Sequence, residues 1–354
     1  MQISVNPFFL FFAFCNLLLG LLTGLGRLGW HVPLPDTYIH HGAIMVGGFL
    51  GSLIALEKVI PLKKPVFYAG PMLSASSILA FIADQFQVAL VLLIIASVLF
   101  NLVYITYLKK QYSLYLTLAM VGALCWCVGN VLLLWKRFYP LAFPWWMGFI
   151  LFTIVSERLE LSKFLPVTNK HKRILIVMMS VFLLGILLPF HEAGKYVAGS
   201  SLVLISIWLL RYDVVKLTIQ KEGLVRFTAM ALIGGYVALL FEGVFLIALS
   251  DAPHSYDTIV HTFFLGFVFS MIFAHGPIIL PGVLGLSVKP YHPLFYIPLL
   301  GLFSSLATRI AANALLIPFH YRAWSGWISA GSILLYFLLM GVTTLLASRH
   351  ARSA

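Results

Sequence analysis

The chain has 354 residues, of which 61% are hydrophobic and 10% charged, and its mean hydropathy is +1.01. A soluble domain carries about 25% charged residues, so this chain cannot coat itself in water, and a soluble enzyme, a disordered chain and a collagen are excluded. The net charge of +12 would suggest nucleic acid in a soluble protein, but here it sits in short loops between apolar runs, which makes the lipid bilayer the partner.

The first apolar run, Pro7 to Leu25, has no basic residue before it and no small-residue cleavage site. It reads as a retained span rather than a signal peptide. Apolar runs then follow, giving the set 8–26, 38–57, 66–83, 87–108, 114–135, 143–160, 174–190, 196–211, 227–249, 258–275, 293–313 and 324–347. A helix needs ~20 residues to cross the hydrocarbon core, so twelve helices use roughly 240 residues and leave about 114 for loops and tails. No separate soluble domain fits, and residues 1–354 are expected to form a single all-α integral membrane domain. The runs with the weakest signal are 66–83, which holds Ser74, Ser76 and Ser77, and the short 196–211.

Of the 23 Lys and Arg residues, 17 fall in the even connections and the C-terminal end and 6 in the odd connections. Basic residues prefer the cytoplasmic side, so both termini are expected inside. Lys136–Arg137 is the clear exception. The stretch from Gly276 to Pro293 holds Pro277, Pro281, Gly282, Gly285 and Pro290, and is expected to be a structured inner loop. No internal repeat stands out. Cys15, Cys125 and Cys127 lie in apolar runs, and the two thiols of Cys125-Trp-Cys127 point in different directions on a helix.

An ionisable side chain in hydrocarbon is a functional candidate by default, and histidine dominates that set here. On the second span His40 and His41 precede a glycine-rich stretch. His41, Met45 and Gly48 share a helix face by their spacing. Gly47, Gly48 and Gly51 allow close packing, either of another helix or of a flat cofactor. On the tenth span His261 stands at the outer start and His275 at the inner end, ~21 Å apart along a helix. They cannot hold one metal. His41 and His261 enter their helices at the same depth, as axial haem ligands do, or as interfacial histidines bonded to water or backbone. Arg309, with Asn313 one turn on, either snorkels outward or pairs an anion such as a haem propionate; Arg27 is a second candidate. Glu242 would carry protons or pair with Arg309. Glu157-Arg158-Leu-Glu160 and Glu57–Lys58 read as interfacial clusters. His171, His191, His254, His292, His320 and His350 fall in loops. Walker A, zinc-protease, serine-elbow and covalent-haem motifs are absent.

His41-x3-Met45-x2-Gly48-Phe49, His261-x4-Gly266-x4-Met271 and Arg309 resemble the NnrS family. Those are twelve-span bacterial proteins associated with haem and copper and linked to nitric oxide stress. Their layout is similar to the haem–copper oxidase catalytic subunit. The resemblance covers the span pattern, with specific motifs only in helices two and ten. It implies a haem–copper-oxidase-like bundle in the bacterial cytoplasmic membrane, with haem b held by His41 and His261. His40 and His275 are the other candidate metal-ligating histidines. Arg309 and Arg27 would hold the propionates, with Met45 and Gly48 beside the cofactor, and copper is the second metal implied. The chain departs from the family at Ala43, where a second histidine is usual. It departs from the oxidases at His261-Thr262-Phe263, where they carry His-x-His, and in lacking histidines on helix six, with only His191 just past helix seven. A binuclear centre is therefore not expected, and no oxidase activity follows. The implied role is response to nitric oxide or another diatomic gas, or electron transfer with a redox partner. The rival reading is a secondary transporter of a small solute or ion.

Overall fold

The computed structural model describes residues 6–33 and 35–353. Among them there are helices and no strand. The long helices are α1 (Asn6–Arg27), α2 (Thr37–Leu62), α3 (Pro65–Ile82), α4 (Phe86–Lys110), α5 (Leu114–Lys136), α6 (Tyr139–Leu161), α7 (Asn169–Leu187), α8 (Phe190–Tyr212), α9 (Gly223–Ala248), α10 (Ser255–Val283), α11 (Tyr296–Ala314) and α12 (Phe319–Ser353). Eleven are long and apolar enough to cross a bilayer. The other, α7, spends its first turn on Lys170, His171, Lys172 and Arg173 before its apolar stretch begins. Large apolar side chains such as Phe11, Leu79, Leu187, Leu300 and Leu338 are exposed on these helices. Lipid is the solvent that accepts such a surface, and the chain is a multi-pass membrane protein. The helix α12 runs through Ser353, past the expected end at 347; the side chains of His350 and Arg352 lie outside the described residues.

The chain divides into two compact units, Met1–Glu157 and Arg158–Ala354. In the first unit α1 and α2 pack through a complementary stripe. Asn16, Gly20 and Gly24 recur every four residues on α1 and so share a face. A Cβ on Gly24 would stand 2.8 Å from His41 Cε1, one on Gly20 would collide with Met45 Sδ, and one on Gly48 would collide with Asn16 Oδ1. Asn16 Nδ2 also ties the stripe to α3 by donating to the Ala75 carbonyl at 2.8 Å. Within α2 residues Ile44–Gly51 form a π-helix, a widened form that concentrates at functional sites. Ser74 Oγ of α3 donates to the Gly47 carbonyl inside it at 2.8 Å. Trp126 of α5 fills the space at Gly51 and stacks on Phe149 with ring centres 5.0 Å apart.

In the second unit α10 also carries a π-helix, Thr262–Val268. Its helix then runs on to Val283, so the expected loop from Gly276 to Pro293 is helical over 276–283 and irregular only over 284–292. Pro277 cannot donate to the carbonyl of Phe273, four residues back, and a proline in a helix interior is usually destabilising for that reason. Here Tyr336 Oη of α12 donates to that carbonyl at 2.8 Å, and its ring stacks on Phe273 at 3.9 Å. The freed carbonyl is satisfied from another helix, so the helix survives the proline.

A short pattern recurs on three helices. Gly48-Phe49…Ile54…Glu57 on α2, Gly148-Phe149…Ile154…Glu157 on α6 and Gly266-Phe267…Ile272…His275 on α10 keep the same spacing, Gly-Phe-x4-Ile-x2-polar, at intervals of four helices. Each copy ends on a group that bonds a basic side chain. Glu57 and Glu157 accept from Lys58 Nζ at 3.0 and 2.5 Å, and His275 Nε2 meets Arg158 Nη2.

Candidate functional site

The predicted site residues fall into separate groups. In the first unit His41, Met45 and Gly48 do share a face, but that face is turned to α1, and protein side chains take the space the glycines leave. His41 is half-buried and its Nδ1 donates to the Gly20 carbonyl at 2.7 Å. That bond places a proton on Nδ1, since a carbonyl oxygen only accepts. His40 is buried, bonded through Nδ1 to Tyr139 Oη at 3.1 Å and stacked on Phe86 with ring centres 4.6 Å apart. Arg27 is exposed at the end of α1.

In the second unit the start of α10 builds a polar cluster around Asp257. Arg309 Nη1 of α11 donates to Asp257 Oδ1 at 2.8 Å. Asn313 Nδ2 donates to Asp257 Oδ2 at 2.8 Å and approaches Thr258 Oγ1 at 3.0 Å. Arg322 Nη1 of α12 donates to Asn313 Oδ1 at 3.4 Å. His261, one turn after Asp257, places Nδ1 2.8 Å from the Asp257 carbonyl and 3.1 Å from Oδ1. Arg309 is 4% exposed and bonded to the half-buried Asp257, so it is a buried, paired side chain rather than a snorkelling one. Its anion is Asp257, not Glu242, for which pairing with Arg309 was one of two expected roles. Asp257 was missed, although Asp257-x3-His261 is the i, i+4 spacing that places two side chains together on a helix.

The cluster fixes His261 as its donor set requires. With Nδ1 engaged by oxygen, Nε2 is the ring nitrogen left to act as a ligand. A carboxylate behind an imidazole in this way is the usual support of a metal-ligating histidine, because it sets the tautomer and raises ligand basicity. His275, at the far end of α10, differs. Its Nδ1 bonds the Met271 carbonyl at 2.6 Å, and Arg158 Nη2 already occupies Nε2. Arg158 is buried and also faces Asp213 Oδ2 at 4.0 Å, and that carboxylate accepts from Tyr236 Oη. The sequence signal for this second network was weak, since Asp213 and Tyr236 belong to no motif.

Glu157, Arg158 and Glu160 diverge as their spacing demands: Glu157 goes to Lys58, Arg158 to His275 and Asp213, and Glu160 to Lys163 at 3.6 Å. Cys125 is buried and Cys127 half-buried. Among the described residues no group of three or more His, Cys, Asp and Glu side chains gathers to hold a metal.

No curated protein matches the chain. A family described as a domain of unknown function, DUF8744, matches residues 7–345. That match spans nearly all of the sequence, and the chain belongs to this family.

Proposed function

We propose that this chain is a haem-binding protein of the bacterial cytoplasmic membrane, resembling NnrS, with both termini in the cytoplasm. The observation that carries the proposal is the Asp257–His261 pair, held by Arg309 and Asn313. It turns Nδ1 of His261 to oxygen acceptors and leaves Nε2 as the ring nitrogen that would act as ligand atom. His41 offers the same arrangement in the first unit through its bond to Gly20. The donor chemistry of both histidines fits haem b iron. Bound haem would supply a redox-active iron that takes electrons or a diatomic gas such as nitric oxide. The parts of the reading that fit less well are the cradle and the clamp. Asn16 and α1 fill the face around Gly48 and Met45, and Asp257 already engages Arg309.

Arg309 is therefore assigned to the support of His261 through Asp257, not to a propionate. Haem content of purified variants tests this. His261→Ala should empty or spectrally alter the site. Asp257→Asn and Arg309→Ala should each lower occupancy, and the double variant should be no worse than the worse single variant, because residues in one network are not additive. Fully additive losses would return Arg309 to a propionate, and haem unchanged in all three would remove the cluster from the site. His275→Ala, whose Nε2 is already engaged, should keep its haem.

The orientation rests on the basic residues. Reporter fusions at Ala252 and at the C-terminus should give outside and inside signals respectively. The same signal from both would overturn the alternation of spans.

A further inference from the structure

Glu242 lies on α9 with no exposed surface, and neither carboxylate oxygen has a hydrogen-bond partner. The register of α9 against the antiparallel α10 is fixed by two contacts. A Cβ on Gly235 would stand 3.1 Å from Ser270 Cβ, and one on Gly266 would stand 2.6 Å from Ala238 Cβ. One turn further along the same face, Glu242 comes level with Thr262. The Thr262 hydroxyl is also buried and also without a partner. Two buried polar groups without partners, not hydrogen-bonded to each other, thus lie at one level of the helix pair, beside the π-helix that begins at Thr262.

The charged groups in that half of the unit do not serve Glu242. On α8, Lys195 Nζ is bonded to Asp251 at 2.9 Å, and the other titratable groups at that end are His191 and Glu192, both exposed, and Tyr196, also exposed. On α10, Asp257 is bonded to His261 and to Arg309, and Tyr256 is exposed. An ionised carboxylate without a partner is strongly disfavoured in hydrocarbon, and such a group takes up a proton instead. A carboxyl kept in a bundle interior at that cost is a common element of proton paths through membranes.

We propose that Glu242 is a proton-binding site: a carboxylic acid, neutral at rest, that exchanges its proton within the bilayer, with the Thr262 hydroxyl as its polar partner. The proposal is independent of the haem reading. It is tested by infrared spectroscopy of the full-length protein in lipid, in H2O and D2O. The expected result is a C=O stretching band of a protonated carboxylic acid that shifts down in D2O. The band should vanish in Glu242→Gln, a variant of the same shape, and change frequency in Thr262→Val. If the acid band is absent, or persists unchanged in Glu242→Gln, Glu242 is ionised and the proposal fails. A band that does not respond to D2O marks a sealed structural acid and overturns proton exchange. An unchanged band in Thr262→Val removes Thr262 from the site. Folding of each variant is controlled by its elution as a monodisperse species.

Discussion

Replacing Gly243 by alanine is expected to destabilise the second unit by about 3 kcal/mol, the upper part of the range for overpacking. The added Cβ would stand 2.5 Å from the carbonyl oxygen of Gly199 and 2.9 Å from the backbone nitrogen of Val203. Both are main-chain atoms of α8, so no side chain can rotate away and the helices must separate. The reciprocal change Gly199→Ala meets the Gly243 carbonyl at 2.7 Å and should act the same way. Two backbones that approach this closely need small residues on both sides, which is how membrane helices associate. Gly341→Ala is the control. Nothing lies within 4 Å of a Cβ there, and alanine in a helix is better than glycine by about 1 kcal/mol. Unfolding in detergent should therefore shift in opposite directions for Gly243→Ala and Gly341→Ala. Equal midpoints for the two would contradict the packing described for α8 and α9.

The second large effect is expected at Arg158. Its guanidinium is buried between His275 and Asp213, and Asp213 is itself 8% exposed. Removing one partner of a buried ion pair leaves the other charge uncompensated, which costs about 3–5 kcal/mol. Arg158→Ala should fall in that range. Arg158→Lys keeps the charge but has a single ammonium that cannot meet His275 and Asp213 as a planar fork does, so a partial loss is expected. Asp213→Asn combined with Arg158→Ala should recover part of the loss, since the orphaned charge is then gone. Denaturant titration of the three variants checks the order.

The spans were legible in the sequence because an apolar run of about twenty residues has few alternatives to a membrane helix. The runs at 87–108 and 114–135 match α4 and α5 to within two residues. What escaped is chemistry that depends on a distant partner. Pro277 and Pro281 looked like a loop because nothing nearby in sequence shows that Tyr336 will satisfy the Phe273 carbonyl. Read from sequence, Arg309 has a haem propionate or Glu242 as candidate anions, and only the packing of α10 on α11 shows that Asp257 is the partner. Other features were present and unread. The Asn16, Gly20, Gly24 stripe on α1 is the counterpart of Gly48, Met45 and His41, and it identifies that face as helix packing. The Gly-Phe-x4-Ile pattern was hidden by its interval of four spans and by the exchange of Glu for His in its third copy. The π-helices at Ile44–Gly51 and Thr262–Val268 have no such local signature.

The claim at the centre of this account is that the prepared imidazole of His261 serves haem iron. The most direct test is the absorption spectrum and haem content of the full-length wild-type protein, purified from cells supplied with haem. The account predicts a Soret band that shifts on reduction, with haem approaching a fixed stoichiometry to protein. A colourless, monodisperse and fully helical protein that takes up no added haem would contradict it.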